Sequence, residues 1–359
     1  MRVLIAAGGT GGHIYPGIAV AKEIVRRHPN SLVRFVGTAR GLETRLVPQA
    51  GFGLTLIESA GLVNMGIAAR LRGMWLLPKS FYAARRVIRE FKPQVVVGAG
   101  GYVTGSVLLM AALLRIPTLV MESNAVPGFT NRRLARFVDR AAVSFEGALK
   151  FFHGKGLLTG NPIRREFFDI PHKSRDDARF SLLVFGGSQG ARAINEAMIA
   201  ALPLLEPYKS VLRITHQTGE LDYEKVCAGY RVANWGGQAE AKKYIDDMVT
   251  AFTGADLVIS RAGATTSAEL IAAQRAALMI PLPGQIEQRR NAETLQEAGA
   301  ARMILQLDLT GASLACEIAA LIAHPERVTE MQAACRQLSR GDAAAATVDL
   351  IEKMVERKG

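Results

Sequence analysis

Cysteine is scarce in this chain: three among 359 residues, Cys227, Cys316 and Cys335, with no C-x-x-C pair. That spacing excludes a disulfide scaffold and offers no zinc site, so they read as buried or free thiols of a reducing compartment. Aromatics are few, 6% with two tryptophans. No apolar run approaches the roughly 20 residues a bilayer needs. The longest, Val107–Leu114, stops at Arg115. The start, MRVLIAAGGTGG, breaks into glycines too early for a signal-peptide core. The expectation is a cytosolic protein able to rest on a membrane but not to cross it. Acidic residues are outnumbered, 32 against 44 basic, a formal +12. Such an excess calls for an acidic partner: nucleic acid, an anionic membrane surface or a phosphorylated substrate.

What is present is ordinary for a soluble α/β protein: 49% apolar residues and 35 glycines. The length predicts two domains. Val3–Ala6 is an apolar run that ends in Gly8-Gly9-Thr10-Gly11-Gly12, after which Ile18, Ala21, Ile24 and Val25 recur at helical spacing. Further strands are expected at Leu32–Val36, Gln94–Val97, Thr118–Met121 and Ala141–Phe145, with helical stretches between them. Strands alternating with helices imply a parallel sheet covered on both faces. About half a chain later the pattern restarts. Ser181–Phe185 runs into Gly186-Gly187-Ser188-Gln189-Gly190, with more strands at Val211–Thr215, Leu257–Ser260 and Ala277–Ile280. The charged stretch Asn161–Arg179 reads as the linker between two similar halves.

A strand, a glycine turn and a helix N-terminus make an anion site, because free amides and the helix dipole point the same way. The same glycines would also suit a merely tight turn. A dinucleotide is rejected. Gly9-Thr10-Gly11-Gly12-His13-Ile14 lacks the last glycine of G-x-G-x-x-G, and the second strand ends in Gly37-Thr38 without an acid for a ribose. The phosphate-loop pattern G-x-x-x-x-G-K-[ST] is missing too. A third turn, Gly98-Ala99-Gly100-Gly101-Tyr102, follows Val95–Val97, and a fourth, Ser260-Arg261-Ala262-Gly263-Ala264-Thr265-Thr266, follows Leu257–Ile259. The fourth has diphosphate chemistry: helix amides for one phosphate and Arg261 for charge. Glu269, three positions on, reads equally as a functional carboxylate of this site and as a solvated or capping helix residue. No Asp-x-Asp pair occurs, so no acidic clamp for a bridging divalent ion is expected.

His13 opens the first helix, where the dipole disfavours imidazolium. A neutral ring there suits a general base for a sugar hydroxyl. It equally suits a histidine that packs against the turn. Residues 70–92 place Leu71, Met74, Trp75, Leu77 and Phe81 beside Lys79, Arg85 and Arg86. That is the composition of an interfacial segment on anionic lipid, or of a helix with its apolar side in the core. No nucleic-acid-binding signature accompanies the charge, so nucleic acid is not expected as a partner.

In order along the chain stand Gly8–His13, Gly100-Gly101-Tyr102-Val103, Glu122-Ser123-Asn124, Gly160–Arg164, Gly186–Arg192, Tyr244–Met248, Gln288 and Asn291-Ala292. Together they resemble the MurG family, the UDP-N-acetylglucosamine transferases that convert lipid I to lipid II in bacterial peptidoglycan synthesis. The resemblance implies a GT-B fold: two Rossmann-like domains, 1–162 and 163–340, with parallel sheets facing across a cleft. A C-terminal helix at about 341–359 should pack back on the first domain. It implies inverting transfer with no cofactor and no required metal. UDP-GlcNAc should sit mainly on the second half. The Ile245 backbone and Arg164 would lie near the uracil and Glu269 on the ribose. Ser188, Arg261 and the turn Gly263, Ala264, Thr265 and Thr266 would take the diphosphate. Gln288 would meet the GlcNAc, with Asn124, Thr10, Gly11 and Gly12 closing over it. The acceptor, undecaprenyl-linked lipid I, should approach Gly9, Gly100, Gly101 and Tyr102. His13 is the expected base and Glu122 the reserve. Glu287 stands where the family carries a glutamine. The implied place is the cytoplasmic face of the inner membrane, held peripherally on an anionic surface, with other cell-wall synthesis and division proteins as partners. Two other readings stay open. One is a different GT-B enzyme on UDP-GlcNAc, such as a 2-epimerase or a glycolipid glycosyltransferase. The other is a catalytically silent membrane scaffold.

Overall fold

The computed structural model describes residues 1–58, 67–173, 179–187 and 189–357, and for 67–77 the main chain alone. Two compact units result: Met1–Arg164 with Arg340–Gly359, and Arg165–Ser339.

Unit 1 runs β1 (Arg2–Ala7), α1 (Gly11–Arg27), β2 (Leu32–Gly37), α2 (Glu43–Gln49), β3 (Gly53–Leu56), α3 (Ile67–Phe91), β4 (Val95–Gly100), α4 (Tyr102–Leu113), β5 (Thr118–Glu122), α5 (Phe129–Leu134), β6 (Arg140–Val143) and β7 (Gly156–Leu158). All seven strands are parallel, in the order β3-β2-β1-β4-β5-β6-β7. The inner strands β4 and β5 are buried at every residue. They show no alternation because helices cover both faces. The two faces divide by residue parity. Val3, Ile5 and Ala7 pack with Ile14, Ile18 and Ala21 of α1. Leu4 and Ala6 pack with Ile88 of α3 and with Val103 and Val107 of α4.

Unit 2 follows with β8 (Phe180–Phe185), α6 (Arg192–Ala201), β9 (Leu212–Gln217), α7 (Tyr223–Val232), β10 (Ala239–Lys242), α8 (Met248–Gly254), β11 (Leu257–Ser260), α9 (Ala264–Ala273), β12 (Ala276–Met279), α10 (Ile286–Glu297), β13 (Ala301–Met303), α11 (Gly311–Ala323) and α12 (Pro325–Leu338). Its parallel sheet is ordered β10-β9-β8-β11-β12-β13. Leu182 and Val184 face α6 and α11 through Ile194, Met198, Leu314 and Ile318. On the other face the rings of Phe185 and Phe167 both meet Phe252, Phe167 edge-on at 5.2 Å. The described part of the stretch read as a linker, from Arg165 to Lys173, therefore belongs to this unit. Phe167 and Ile170 are buried, and Lys173 pairs with Asp256 at 2.9 Å. The fully buried Arg275 completes the packing, donating to the carbonyls of Phe252, Ala273 and Pro171. Burial pushes the neighbouring Cys335 thiol up to about 12, so it is inert.

The last helix, α13 (Ala343–Glu356), returns to unit 1. Its N-cap Asp342 accepts from the Ala345 amide. Val348 and Ile351 enter the core beside α1, and Arg27 reaches Asp349 at 2.5 Å and Glu352 at 3.3 Å. Among the described residues no helix is long and apolar enough to cross a membrane.

The four strands that the sequence pattern did not reveal are β3, β7, β10 and β13, the edges of the two sheets. Edge strands are short and half-solvated, so they lack an apolar run. β10 reads AEAK.

In each sheet the strand order reverses between the first and fourth strands of the unit, β1 with β4 and β8 with β11. Ligands of doubly wound sheets bind outside the carboxyl ends of the strands at this switch point. All four glycine turns of the sequence lie there.

Candidate functional site

In unit 1 the switch point is built backbone against backbone. The Gly8 amide donates to the Gly100 carbonyl at 3.2 Å. Gly101 adopts φ +86°, and a Cβ there would fall on the Gly8 carbonyl. Gly100, at φ +120°, leaves room for the His13 ring, whose Nδ1 lies where its Cβ would be. Burial holds the His13 pKa below its ordinary 6.5, against a hydrogen bond with the Ala99 backbone. The ring is therefore neutral at pH 7, as a base requires. Thr10 and Gly9 are exposed, Gly11 and Gly12 half-buried, and Tyr102 is 57% exposed at the start of α4.

Two carboxylates brace this site. Glu122, only 3% exposed, accepts from Asn124 N and Nδ2 at 2.9 and 3.1 Å, from Asn131 Nδ2 at 2.8 Å and from Gly128 N at 3.3 Å. Burial raises its pKa against those four donors. With both oxygens engaged, it is placed to orient the Asn124 loop. Glu43 escaped the sequence reading. It is fully buried and accepts from Gly9 N at 2.9 Å and from Thr38 N and Oγ1, each at 2.8 Å. Burial alone would raise its pKa, but these donors win and hold it below the ordinary value.

The described part of α3 splits into faces. Ser80, Ala84, Val87, Ile88 and Phe91 are buried, while Lys79, Arg85, Arg86 and Arg89 are exposed and Phe81 is half-buried. Arg86 pairs with Glu90. The side chains of Leu71, Met74, Trp75 and Leu77 lie outside the described residues.

In unit 2 Arg261 sits half-buried at the end of β11. It donates to the Ile280 carbonyl at 3.1 Å and to Gln306 Oε1 at 2.7 Å. Burial lowers its pKa, and among the described residues no carboxylate pairs with it. Gly263 caps α9, whose first turn is Ala264–Thr266. Thr265 Oγ1 is buried there without a hydrogen-bond partner among the described residues. A cation at the end of β11, followed directly by a helix N-terminus, supplies the elements of an anion site. Glu269 lies one turn further along α9, half-buried. Gln288 Oε1 accepts from Leu282 N at 3.0 Å, and Glu287 opens α10. Arg289 and Arg290 both pair with Glu293. Asn291 Nδ2 ties α10 to the Ala262 carbonyl beside Arg261. Ser188 lies outside the described residues. Ile245 is buried, and its amide is taken by Gln217. Arg164 is exposed at the end of unit 1. Gln217 also escaped the sequence reading. The run His216-Gln217-Thr218-Gly219, polar residues closing an apolar strand next to the switch point, is the signal that would have found it.

Two Rossmann-like units, each with a glycine-lined switch point, define the GT-B class of glycosyltransferase architecture. The glycosyltransferase family 28 N-terminal domain matches residues 3–143 and its C-terminal domain residues 181–348. The chain belongs to glycosyltransferase family 28. A relative from Anaeromyxobacter sp. (strain Fw109-5) is 47% identical over 100% of this chain and 94% of its own. One from Syntrophus aciditrophicus is 45% identical over 99% of each. Both carry the name UDP-N-acetylglucosamine–N-acetylmuramyl-(pentapeptide) pyrophosphoryl-undecaprenol N-acetylglucosamine transferase. The crystal structure of Acinetobacter baumannii MurG is 32% identical, with a TM-score of 0.80 over 98% of this chain and 99% of that one. A UDP-GlcNAc 2-epimerase from Neisseria meningitidis shares the fold at 16% identity and a TM-score of 0.69 over 98% of this chain and 100% of that one.

Proposed function

We propose that this chain transfers GlcNAc from UDP-GlcNAc to the C4 hydroxyl of the N-acetylmuramic acid of undecaprenyl-linked lipid I, giving lipid II. Arg261, which meets no carboxylate among the described residues and directly precedes the α9 N-terminus, carries the reading within the molecule, and the names of the full-length relatives supply the substrates. The donor diphosphate lies on Arg261, Ser188 and the Gly263–Thr266 turn. Glu269 takes the ribose, Ile245 flanks the uracil, and Gln288 meets the sugar. The acceptor diphosphate lies on the amides of the Gly9 and Gly100–Tyr102 turns. The acceptor O4 attacks the anomeric carbon, and the bond from that carbon to the phosphate oxygen breaks on the opposite face. UDP leaves with the electron pair and the O4 proton passes to the neutral His13, so configuration inverts. Charge building on UDP is met by Arg261 and the α9 dipole without a metal. The exposed cations of α3 hold the protein peripherally at the anionic cytoplasmic face of the inner membrane.

The test mixes the protein, sugar-labelled UDP-GlcNAc and a short-chain lipid I analogue in excess EDTA. Labelled disaccharide-lipid is the expected product. Donor binding without product would move the acceptor assignment to another glycolipid or to epimerisation.

A further inference from the structure

Gln217 ends β9, one strand from the unit 2 switch point, and is 1% exposed. Both ends of its amide are used. Nε2 donates to the Gly187 carbonyl at 2.8 Å, and Oε1 accepts from the Ile245 amide at 2.7 Å. One side chain thus joins the glycine turn after β8 to the loop after β10. The Gly187 carbonyl also accepts from the Gly190 amide at 3.0 Å, so its two lone pairs are both engaged. The turn after β9 interlocks with the glycine turn as well. Gly190 (φ +76°) lies against the Thr218 carbonyl and Gly219 (φ +78°) against the Gln189 carbonyl, with no room for a Cβ at either. The preceding residue fixes the strand end from the opposite side. Asn195 Nδ2 donates to the Thr218 carbonyl, so Asn195 Oδ1 accepts from His216 Nε2, and His216 Nδ1 accepts from Tyr230 Oη. Burial lowers the His216 pKa to about 3, which keeps the ring neutral at any working pH. A neutral amide in this place adds no negative charge beside a turn meant for an anion.

We infer that Gln217 is a positioning residue for the donor nucleotide: it sets the Gly187 turn against the phosphates and the Ile245 segment against the base together. The inference rests on the donor assignment made under Proposed function. Only a side chain with both a donor and an acceptor at this reach can do so. Gln217→Met keeps the volume and loses both bonds. Gln217→Glu keeps an acceptor for Ile245 and loses the donor to Gly187.

The test is calorimetric binding of UDP and ADP to the full chain, with KM and kcat for UDP-GlcNAc and a thermal melt of each variant. Gln217→Met is expected to weaken UDP on the order of 10-fold and to lose preference for UDP over ADP. KM for the donor should rise with that Kd, with kcat changed less. Gln217→Glu is expected to weaken UDP while keeping the base preference. If the unaltered protein does not bind UDP, the donor reading falls and this inference falls with it. If it binds and both variants stay within about twofold, only the role of Gln217 is overturned. Losses of affinity that follow the melting temperature, with base preference intact in both variants, overturn it too.

Discussion

The two glycine turns occupy the same place in two sheets of the same strand order, yet they are braced by opposite chemistry. In unit 1 the brace is a buried carboxylate: Glu43 accepts from the Gly9 amide and from Thr38. In unit 2 it is a neutral amide: Gln217 donates to the Gly187 carbonyl and accepts from Ile245. Glu43 removes an amide from the first turn and places a negative charge under it. Gln217 takes a carbonyl and leaves the second turn's potential positive. With Arg261 unpaired by any described carboxylate, unit 2 is the stronger anion site; the first turn of unit 1 is followed by a neutral histidine, and the end of the fourth strand of unit 2 carries an arginine. On the function proposed above, similar folds thus split into a site for chemistry and a site for a leaving diphosphate.

This contrast can be broken in several places. The largest effect is expected from His13→Ala, a loss of about 10²–10⁴ in kcat, with UDP affinity unchanged because His13 belongs to unit 1. The acid limb of kcat/KM in the unaltered enzyme should have its midpoint below 6.5, since burial lowers the pKa of the ring. A midpoint at or above that value would remove His13 as the base. Next comes Gly190→Ala, which drives a Cβ into the Thr218 carbonyl at positive φ. We expect it to destabilise unit 2 by about 3 kcal/mol, read as an earlier denaturant midpoint. Arg261→Met should raise donor KM and lower kcat together, costing about 2 kcal/mol for the lost charged hydrogen bonds, while the melt stays close to that of the parent.

Glu43→Gln sharpens the pH side of the comparison. A carboxylate whose folded pKa is depressed adds stability above its ordinary 4.5 and loses it as pH falls through the lower folded value. The substitution should cost about 2 kcal/mol at pH 7, shrinking toward zero in strong acid. The cost of Gln217→Met should not vary over the same range. The smallest effect is expected at the C-terminal helix, where Asp349→Ala removes a partly exposed partner of Arg27. About 0.5 kcal/mol, fading with salt, is the expected loss in denaturant unfolding.

Much of this was legible before the fold. The central strands announced themselves as unbroken apolar runs because both their faces are buried. The edges β3, β7, β10 and β13 did not, because one side faces water. The turns were legible because Gly100, Gly101, Gly187 and Gly190 sit at positive φ, which disfavours any side chain. Arg261 and His13 stood out by their place after such turns. Glu43 and Gln217 did not, since their partners lie far off along the chain: Gly9 is 34 residues from Glu43 and Gly187 is 30 from Gln217.

From the sequence alone came the two α/β halves, the four glycine turns, the basic excess and the resemblance that names the substrates. The halves and the turns depend on periodicity and on backbone angles, which neighbouring residues decide; the substrates follow only from the family resemblance. Only the tertiary structure decided that the His13 ring is neutral by burial against Gly100, and that one turn is braced by a charge and the other by an amide. Burial and long-range hydrogen bonds depend on which segments meet, and that is set when the whole chain packs.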